Sequence, residues 1–187
     1  MYKPTLAELE AIKTEYKIVP VSKEIFSDPT TPIKVLKILK NISDNVYLFE
    51  SVENTHHWGR YSFLGFNPSL EISCKNHLLK IKKASSNEIQ EIKTDNPNIE
   101  IREILKAYKS PKFEYLPSFT GGLVGYFAYE YLRYQESKLD FVDEIVNKDE
   151  VSFNDVDLML FDKVIAFDHY TKKIILIVNI KTDNLEA

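Results

Sequence analysis

Short strand-like runs joined by very short polar connections constrain this chain more than any other feature. Two alternating runs, Leu70–Cys74 and His77–Lys82, flank only the pair Lys75-Asn76, which predicts a β-hairpin. Connections this short favour antiparallel pairing over a doubly wound fold. We therefore predict an α+β fold, with mostly antiparallel sheets packed with helices in a layered sandwich. Three further strands are predicted near the C-terminus, at Asp157–Phe161, Val164–His169 and Ile174–Ile180.

Capping residues and apolar spacing predict the helices. Thr5, with Glu8 three residues later, forms a capping box before the first helix, and Thr31 caps the second. A strand is predicted at Lys17–Ser22, and Pro20, which cannot donate to a ladder, indicates that it is an edge strand. The four predicted helices are Leu6–Tyr16, Pro32–Ile42, Ile99–Tyr108 and Phe127–Tyr134.

Length and charge narrow the class of protein. The chain has 187 residues, a comfortable size for one domain, and 24 Lys and Arg against 28 Asp and Glu. That acidic balance argues against a nucleic-acid partner, which needs a concentrated basic face. The densest basic spot, Lys80, Lys82 and Lys83, is interpreted as the solvent side of a strand.

Compartment and membrane association follow from two further observations. A single cysteine, Cys74, allows no internal disulfide and predicts a reducing, cytoplasmic setting. The N-terminus has no apolar signal segment, and no run approaches the ~20 apolar residues of a membrane span. We therefore expect neither a membrane nor a nucleic acid among the partners.

The most unusual polar residues are Glu50 and Ser51, which end the apolar run Val46–Phe49. Burying such groups without partners costs roughly 1–3 kcal/mol each. A carboxylate beside a hydroxyl suits the α-amino group of an amino acid. The alternative is that Glu50 pairs with Arg60 on the next strand while Ser51 caps the turn, and the residues alone slightly favour this ion pair.

Two other motifs give weaker signals. The run TGGLVGY contains Gly121, Gly122 and Gly125 but lacks both the G-x-G-x-x-G spacing and a G-K-[ST] ending, so we interpret the glycines as structural, allowing close packing. The pair His56-His57 is not followed by a Cys/His cluster, and adjacent strand residues point apart. No metal site is predicted in this chain.

Taken together, four separated stretches resemble the N-terminal region of anthranilate synthase component I. Their order and spacing match over nearly the whole chain. The stretches are LFES at Leu48–Ser51, WGRYSFLG at Trp58–Gly65, FTGGLVGYFAYEYLRY at Phe119–Tyr134 and DLMLFDKVIAFDH at Asp157–His169.

The resemblance implies a segment of a larger enzyme. Members of the family convert chorismate to anthranilate and pyruvate, using ammonia from a glutamine amidotransferase partner (component II) and a magnesium ion. Their chorismate and magnesium residues lie in a C-terminal half that is absent from this sequence. The resemblance therefore implies that residues 1–187 form the N-terminal regulatory domain, with a fold incomplete without that half and no activity alone.

The resemblance also implies a site for L-tryptophan, the feedback inhibitor of the family. The family motif LLES gives a carboxylate and a hydroxyl to the inhibitor, and here it implies Glu50 and Ser51, with Phe49 in place of the second leucine. A basic or polar residue of the following strand completes this half of the site. The sequence leaves three choices for it, Arg60, Tyr61 and Ser62.

Two other functions remain open. Component I of aminodeoxychorismate synthase shares the fold, and an enzyme of that kind should show no tryptophan feedback. A stand-alone amino-acid-binding module is the third possibility, and it requires that this chain bind tryptophan unaided.

Overall fold

Two antiparallel sheets organise the part of the chain that the computed structural model describes, which is residues 2–28, 30–50, 59–136 and 153–184. The chain divides into two compact units, each with one of the sheets. Unit 1 comprises residues 1–68, 106–122 and 161–187, and unit 2 comprises residues 69–105 and 123–160. The predicted α+β class with mostly antiparallel strands is confirmed.

The elements are named in chain order. The strands are β1 (Tyr2–Lys3), β2 (Ile18–Phe26), β3 (Val46–Phe49), β4 (Tyr61–Phe66), β5 (Leu70–Lys75), β6 (Leu78–Lys83), β7 (Ile89–Lys93), β8 (Gly122–Phe127), β9 (Val156–Phe161), β10 (Lys163–Asp168) and β11 (Lys173–Lys181). The α-helices are α1 (Leu6–Ile12), α2 (Pro32–Leu39) and α3 (Asn98–Ala107), and 3₁₀ helices span Tyr129–Tyr134 and Thr182–Asn184.

The sheet of unit 1 has the order β1-β2-β11-β10-β4-β3 and carries apolar side chains on both faces. Strand alternation separates them, because successive residues point to opposite faces. One face holds Leu39 of α2 against Leu64, Phe167 and Ile174. The other face holds a cluster that includes residues of the loop before β8; its buried members are Leu116, Val164, Ala166, Ile175 and Ile177.

The predicted edge position of the second strand is wrong. β2 lies between β1 and β11 and pairs with β11 along its whole length. Pro20 cannot donate a backbone hydrogen bond, and on the β1 side it does not need to, because β1 pairs only with Ser22 and Lys23. Pro20 therefore lies outside that short ladder, while it is opposite Asn179 on the β11 side.

The first two helices begin as predicted but end earlier, and α3 lies within one residue of its predicted bounds. Thr5 and Glu8 form the complete capping box, and the Thr31 hydroxyl accepts from Lys34 N. α1 ends at Ile12, before the predicted Tyr16. The prediction of a helix over 127–134 is correct only in part, since Phe127 ends β8 and a 3₁₀ helix follows. Within the described ranges, no helix has the length and apolar character needed to cross a membrane.

The sheet of unit 2 has the order β7-β6-β5-β9-β8 and contains the predicted hairpin, β5–β6. Cys74 is free and buried, as predicted. The lysines of β6 pair with acidic residues across the sheet surface. This agrees with their interpretation as a solvent face; the pairs are Lys80–Glu91, Lys82–Glu71 and Lys83–Glu88.

The three glycines around β8 differ in what they allow. A Cβ on Gly121 would lie 2.8 Å from the carbonyl oxygen of Phe161, and one on Gly125 would lie 2.8 Å from the Cα of Leu158. Gly122 has φ +138°, a conformation that side chains disfavour, although the space beside it is open. Backbone passes directly against Gly121 and Gly125, so neither position has room for a side chain.

Candidate functional site

The candidate site lies at the end of β3 and the start of β4. Phe49 is the last residue of β3 and pairs with Phe63 of β4, so the following Glu50 and the preceding Arg60 lie at the same end of this antiparallel pair. Ser51 falls outside the residues that the structure describes, as do His56 and His57.

Glu50 presents an available carboxylate. Its side chain is exposed, and the described part of the chain provides it with no hydrogen bond or ion pair. The ion pair between Glu50 and Arg60, slightly favoured by the sequence, is not formed. Arg60 instead binds Asp168, the last residue of β10.

Arg60 and Asp168 form a bidentate pair. The Arg60 Nε donates to both carboxylate oxygens at 3.2 Å, and Nη2 donates to Oδ2 at 2.6 Å. The carboxylate is 3% exposed, whereas the Arg60 side chain is 41% exposed. Burial acts to raise the pKa of Asp168, but hydrogen bonds from Arg60 and Thr171 outweigh it and hold this pKa below its ordinary value.

Two tyrosine rings flank the guanidinium. The Arg60 Cζ lies 4.9 Å from the centre of the Tyr61 ring and 5.7 Å from that of Tyr170. Both distances are within the range of cation–π attraction. Burial, followed by the Asp168 charge, raises the pKa of Tyr61, so its hydroxyl stays neutral at physiological pH. The Arg60 guanidinium is therefore held by hydrogen bonds to Asp168 and by its contacts with the two tyrosine rings.

Ser62 points into the protein. It is fully buried, and its Oγ lies 2.7 Å from Nε2 of His169. His169 also donates its backbone N–H to the Arg60 carbonyl oxygen at 2.9 Å. Of the three candidates, Ser62 thus joins β4 to the residue that follows β10, and Arg60, which directly precedes β4, is the one whose charged side chain is partly exposed.

An exposed aromatic residue, Phe49, directly precedes Glu50 in the chain. Phe49 is 50% exposed, and its ring lies 4.9 Å from that of Tyr47. Tyr47 is wedged over Gly65, its partner in β4, and its hydroxyl is buried without a hydrogen-bond partner among the described residues. Burial raises the pKa of this hydroxyl well above its ordinary value.

Sequence reasoning missed Asp168, Tyr170 and His169 as neighbours of this site. The register of β4 against β10 brings them there, since Tyr61 pairs with Asp168. Chemically, the site combines a carboxylate, a guanidinium and an exposed aromatic ring, the groups that recognise the two charges and the side chain of an aromatic amino acid. No cluster of three or more His, Cys, Asp or Glu that could hold a metal ion occurs within the described ranges.

Comparison with known proteins finds relatives that share one name, anthranilate synthase component 1. Anthranilate synthase component 1 of Acetivibrio thermocellus is 34% identical over 189 residues, covering 100% of this chain and 36% of the relative. That of Acinetobacter calcoaceticus is 38% identical over 187 residues, covering 98% and 37%. The chain belongs to the anthranilate synthase component I family. It spans little more than a third of the length of these anthranilate synthase relatives.

A solved structure of the same family also aligns with the chain. The crystal structure of anthranilate synthase component I from Streptococcus pneumoniae TIGR4 has 25% sequence identity and a TM-score of 0.46, covering 80% of this chain and 30% of that one. No protein-family profile matches the chain. Membership of the anthranilate synthase family therefore stands on the sequence relatives.

Proposed function

We propose that this chain is the N-terminal segment of an anthranilate synthase component I and carries part of its tryptophan feedback site. The parent enzyme would convert chorismate, with ammonia derived from glutamine, into anthranilate and pyruvate. The observation that carries this proposal is the 34–38% identity to component I proteins over nearly the whole chain.

In the proposed site, different residues bind different parts of the tryptophan molecule. The Glu50 carboxylate accepts from the α-ammonium group, with Ser51 predicted beside it. The exposed donors of Arg60 meet the α-carboxylate, because charge-assisted hydrogen bonds are the strong ones. The exposed ring of Phe49 offers an apolar surface next to these charges.

The proposed regulation is allosteric. Tryptophan bound at this strand end favours an arrangement of the enzyme that binds chorismate poorly. Couplings of this kind are typically about 1–3 kcal/mol, and by linkage chorismate weakens tryptophan binding equally. Chorismate and magnesium would bind to parts of the protein beyond this segment, and a glutamine amidotransferase subunit would supply ammonia.

The proposal is tested by anthranilate formation in the full-length protein that carries this segment. Tryptophan should inhibit the reaction, and Glu50→Gln should raise the inhibition constant by about tenfold or more, since a charged partner of the ammonium is lost. Glu88→Gln, an exposed glutamate of unit 2 that pairs with Lys83, is the matched control and should leave inhibition intact.

Two outcomes would contradict the proposal. Formation of aminodeoxychorismate without tryptophan inhibition would support the aminodeoxychorismate enzyme instead. Tight tryptophan binding by the isolated chain in calorimetry, with no chorismate-dependent activity in the full-length protein, would support a stand-alone binding module.

A further inference from the structure

We propose that Asp168 is a positioning residue of the effector site: it holds Arg60 so that the free edge of the guanidinium meets the effector carboxylate. This inference rests on the proposed tryptophan site and adds to it a residue from β10. It also specifies the class of ligand, a zwitterionic amino acid rather than a simple carboxylic acid.

The guanidinium donors of Arg60 divide into two sets. An arginine has five N–H donors in a rigid fork. Asp168 takes the edge formed by Nε and Nη2 of Arg60, which leaves both N–H groups of Nη1 and the second of Nη2. One of the remaining donors on each of Nη1 and Nη2 lies on the edge between these two nitrogens, which has the spacing for a bidentate carboxylate.

The two edges of the guanidinium point in different directions. Asp168 is 3% exposed, so the edge that it occupies points into the protein, while the Arg60 side chain as a whole remains 41% exposed. The edge without a partner is therefore directed away from this buried carboxylate. An ion pair with a partly exposed arginine contributes little to stability.

Asp168 is itself fixed. Its Oδ1 accepts from the backbone N–H of Tyr170 at 3.0 Å and of Thr171 at 3.1 Å, in the turn that leads from β10 to β11. The carboxylate thus has a set direction before Arg60 binds to it. The nearby rings of Tyr61 and Tyr170 further limit the movement of the guanidinium.

The charge balance decides the ligand class. Glu50 and Arg60 carry opposite charges at this strand end. A zwitterion places its ammonium at Glu50 and its carboxylate at Arg60, whereas a ligand with only a carboxylate does not engage Glu50. We therefore expect L-tryptophan to inhibit, and indole-3-propionate, which lacks the ammonium, to bind at least tenfold more weakly.

The test is a double-mutant cycle in the full-length enzyme with tryptophan as the probe. Asp168→Asn keeps an oxygen for the Tyr170 and Thr171 amides but loses the charged bond to Arg60. We expect the inhibition constant to rise about tenfold, which corresponds to about 1.4 kcal/mol. Arg60→Gln should do the same, and the double variant should be no worse than Arg60→Gln alone, because Asp168 acts through Arg60.

Two further variants separate positioning from stability. Arg60→Lys leaves the turn at Asp168 intact and keeps the charge, but a lysine has no fork, so the inhibition constant should also rise. Asp155→Asn alters a comparable buried pair with Arg133 in unit 2 and should leave the inhibition constant unchanged. Urea unfolding of each variant identifies any that is not folded.

The outcomes distinguish a failure of the proposed function from a failure of the positioning role of Asp168. An enzyme that tryptophan does not inhibit before any substitution contradicts the proposed function, and the positioning role with it. An enzyme that is inhibited, but whose inhibition survives Asp168→Asn and Arg60→Lys, contradicts the positioning role alone. Multiplicative effects of Asp168→Asn and Arg60→Gln in the double variant would also overturn it.

Discussion

The two units each pair an arginine with a buried aspartate next to a strand end, and they use this pair differently. In unit 1, Arg60 reaches Asp168 from the surface and remains 41% exposed. In unit 2, Arg133 binds Asp155 at 3.0 Å with only 15% of its side chain exposed. The same type of ion pair thus leaves the arginine partly exposed in unit 1 and mostly buried in unit 2.

The surroundings of the two carboxylates explain the difference. Asp155 also accepts from the Tyr134 hydroxyl at 2.7 Å and from the Asn76 N–H at 3.0 Å, so it fastens the β5–β6 turn to the 3₁₀ helix. Asp168 accepts only from its own turn besides Arg60 among the described residues. Asp155 therefore joins three segments of its unit, whereas Asp168 mainly orients one side chain.

The largest expected effect separates the two aspartates by stability. Asp155→Ala should lower the free energy of unfolding by about 3–5 kcal/mol, because it removes the carboxylate that a nearly buried arginine binds. Asp168→Ala should lower it by only about 1–2 kcal/mol, because Arg60 can return to water. Urea unfolding of both variants measures the difference, and equal losses would remove the distinction between them.

A smaller effect tests the contacts around Asp155. Tyr134→Phe keeps the ring but removes a hydroxyl that donates to Asp155 and accepts from the His77 N–H at 3.1 Å. We expect a loss of about 1–3 kcal/mol in the free energy of unfolding, since the His77 N–H is left without its acceptor and Asp155 loses one of its hydrogen bonds. Tyr129→Phe, at an exposed tyrosine that begins the same 3₁₀ helix, is the control and should change stability by less than about 0.5 kcal/mol.

The parts of the fold that the sequence predicted depend on neighbours in the chain. The capping box of Thr5 and the β5–β6 hairpin involve residues only a few positions apart, so their patterns are visible directly. The predicted edge position of β2 is wrong because β2 is covered by β1, a two-residue strand that is too short to show a periodic pattern in the sequence.

The arginine pair shows why the site was harder to predict than the elements. The sequence favours Glu50 as the partner of Arg60, because Glu50 is near in sequence and at the end of the preceding predicted strand. The actual partner, Asp168, is 108 positions away and becomes a neighbour only through the register of β4 against β10. With 28 acidic residues in the chain, the choice among them is made by tertiary pairing, which composition and spacing do not specify.

The smallest expected effect concerns the acid stability of unit 1. The pKa of Asp168 is lower in the folded protein than its ordinary value of 3.8. The charged carboxylate therefore stabilises the fold at pH values above 3.8, and this contribution is lost as the pH falls through the lowered pKa. The difference in the free energy of unfolding between the parent protein and Asp168→Asn should accordingly shrink as the pH is lowered from neutral to below 3.8. Asp44→Asn, at an exposed aspartate between α2 and β3, controls for the loss of one negative charge. A difference that stays constant or grows toward acid would mean that the bond with Arg60 does not favour the charged form of Asp168.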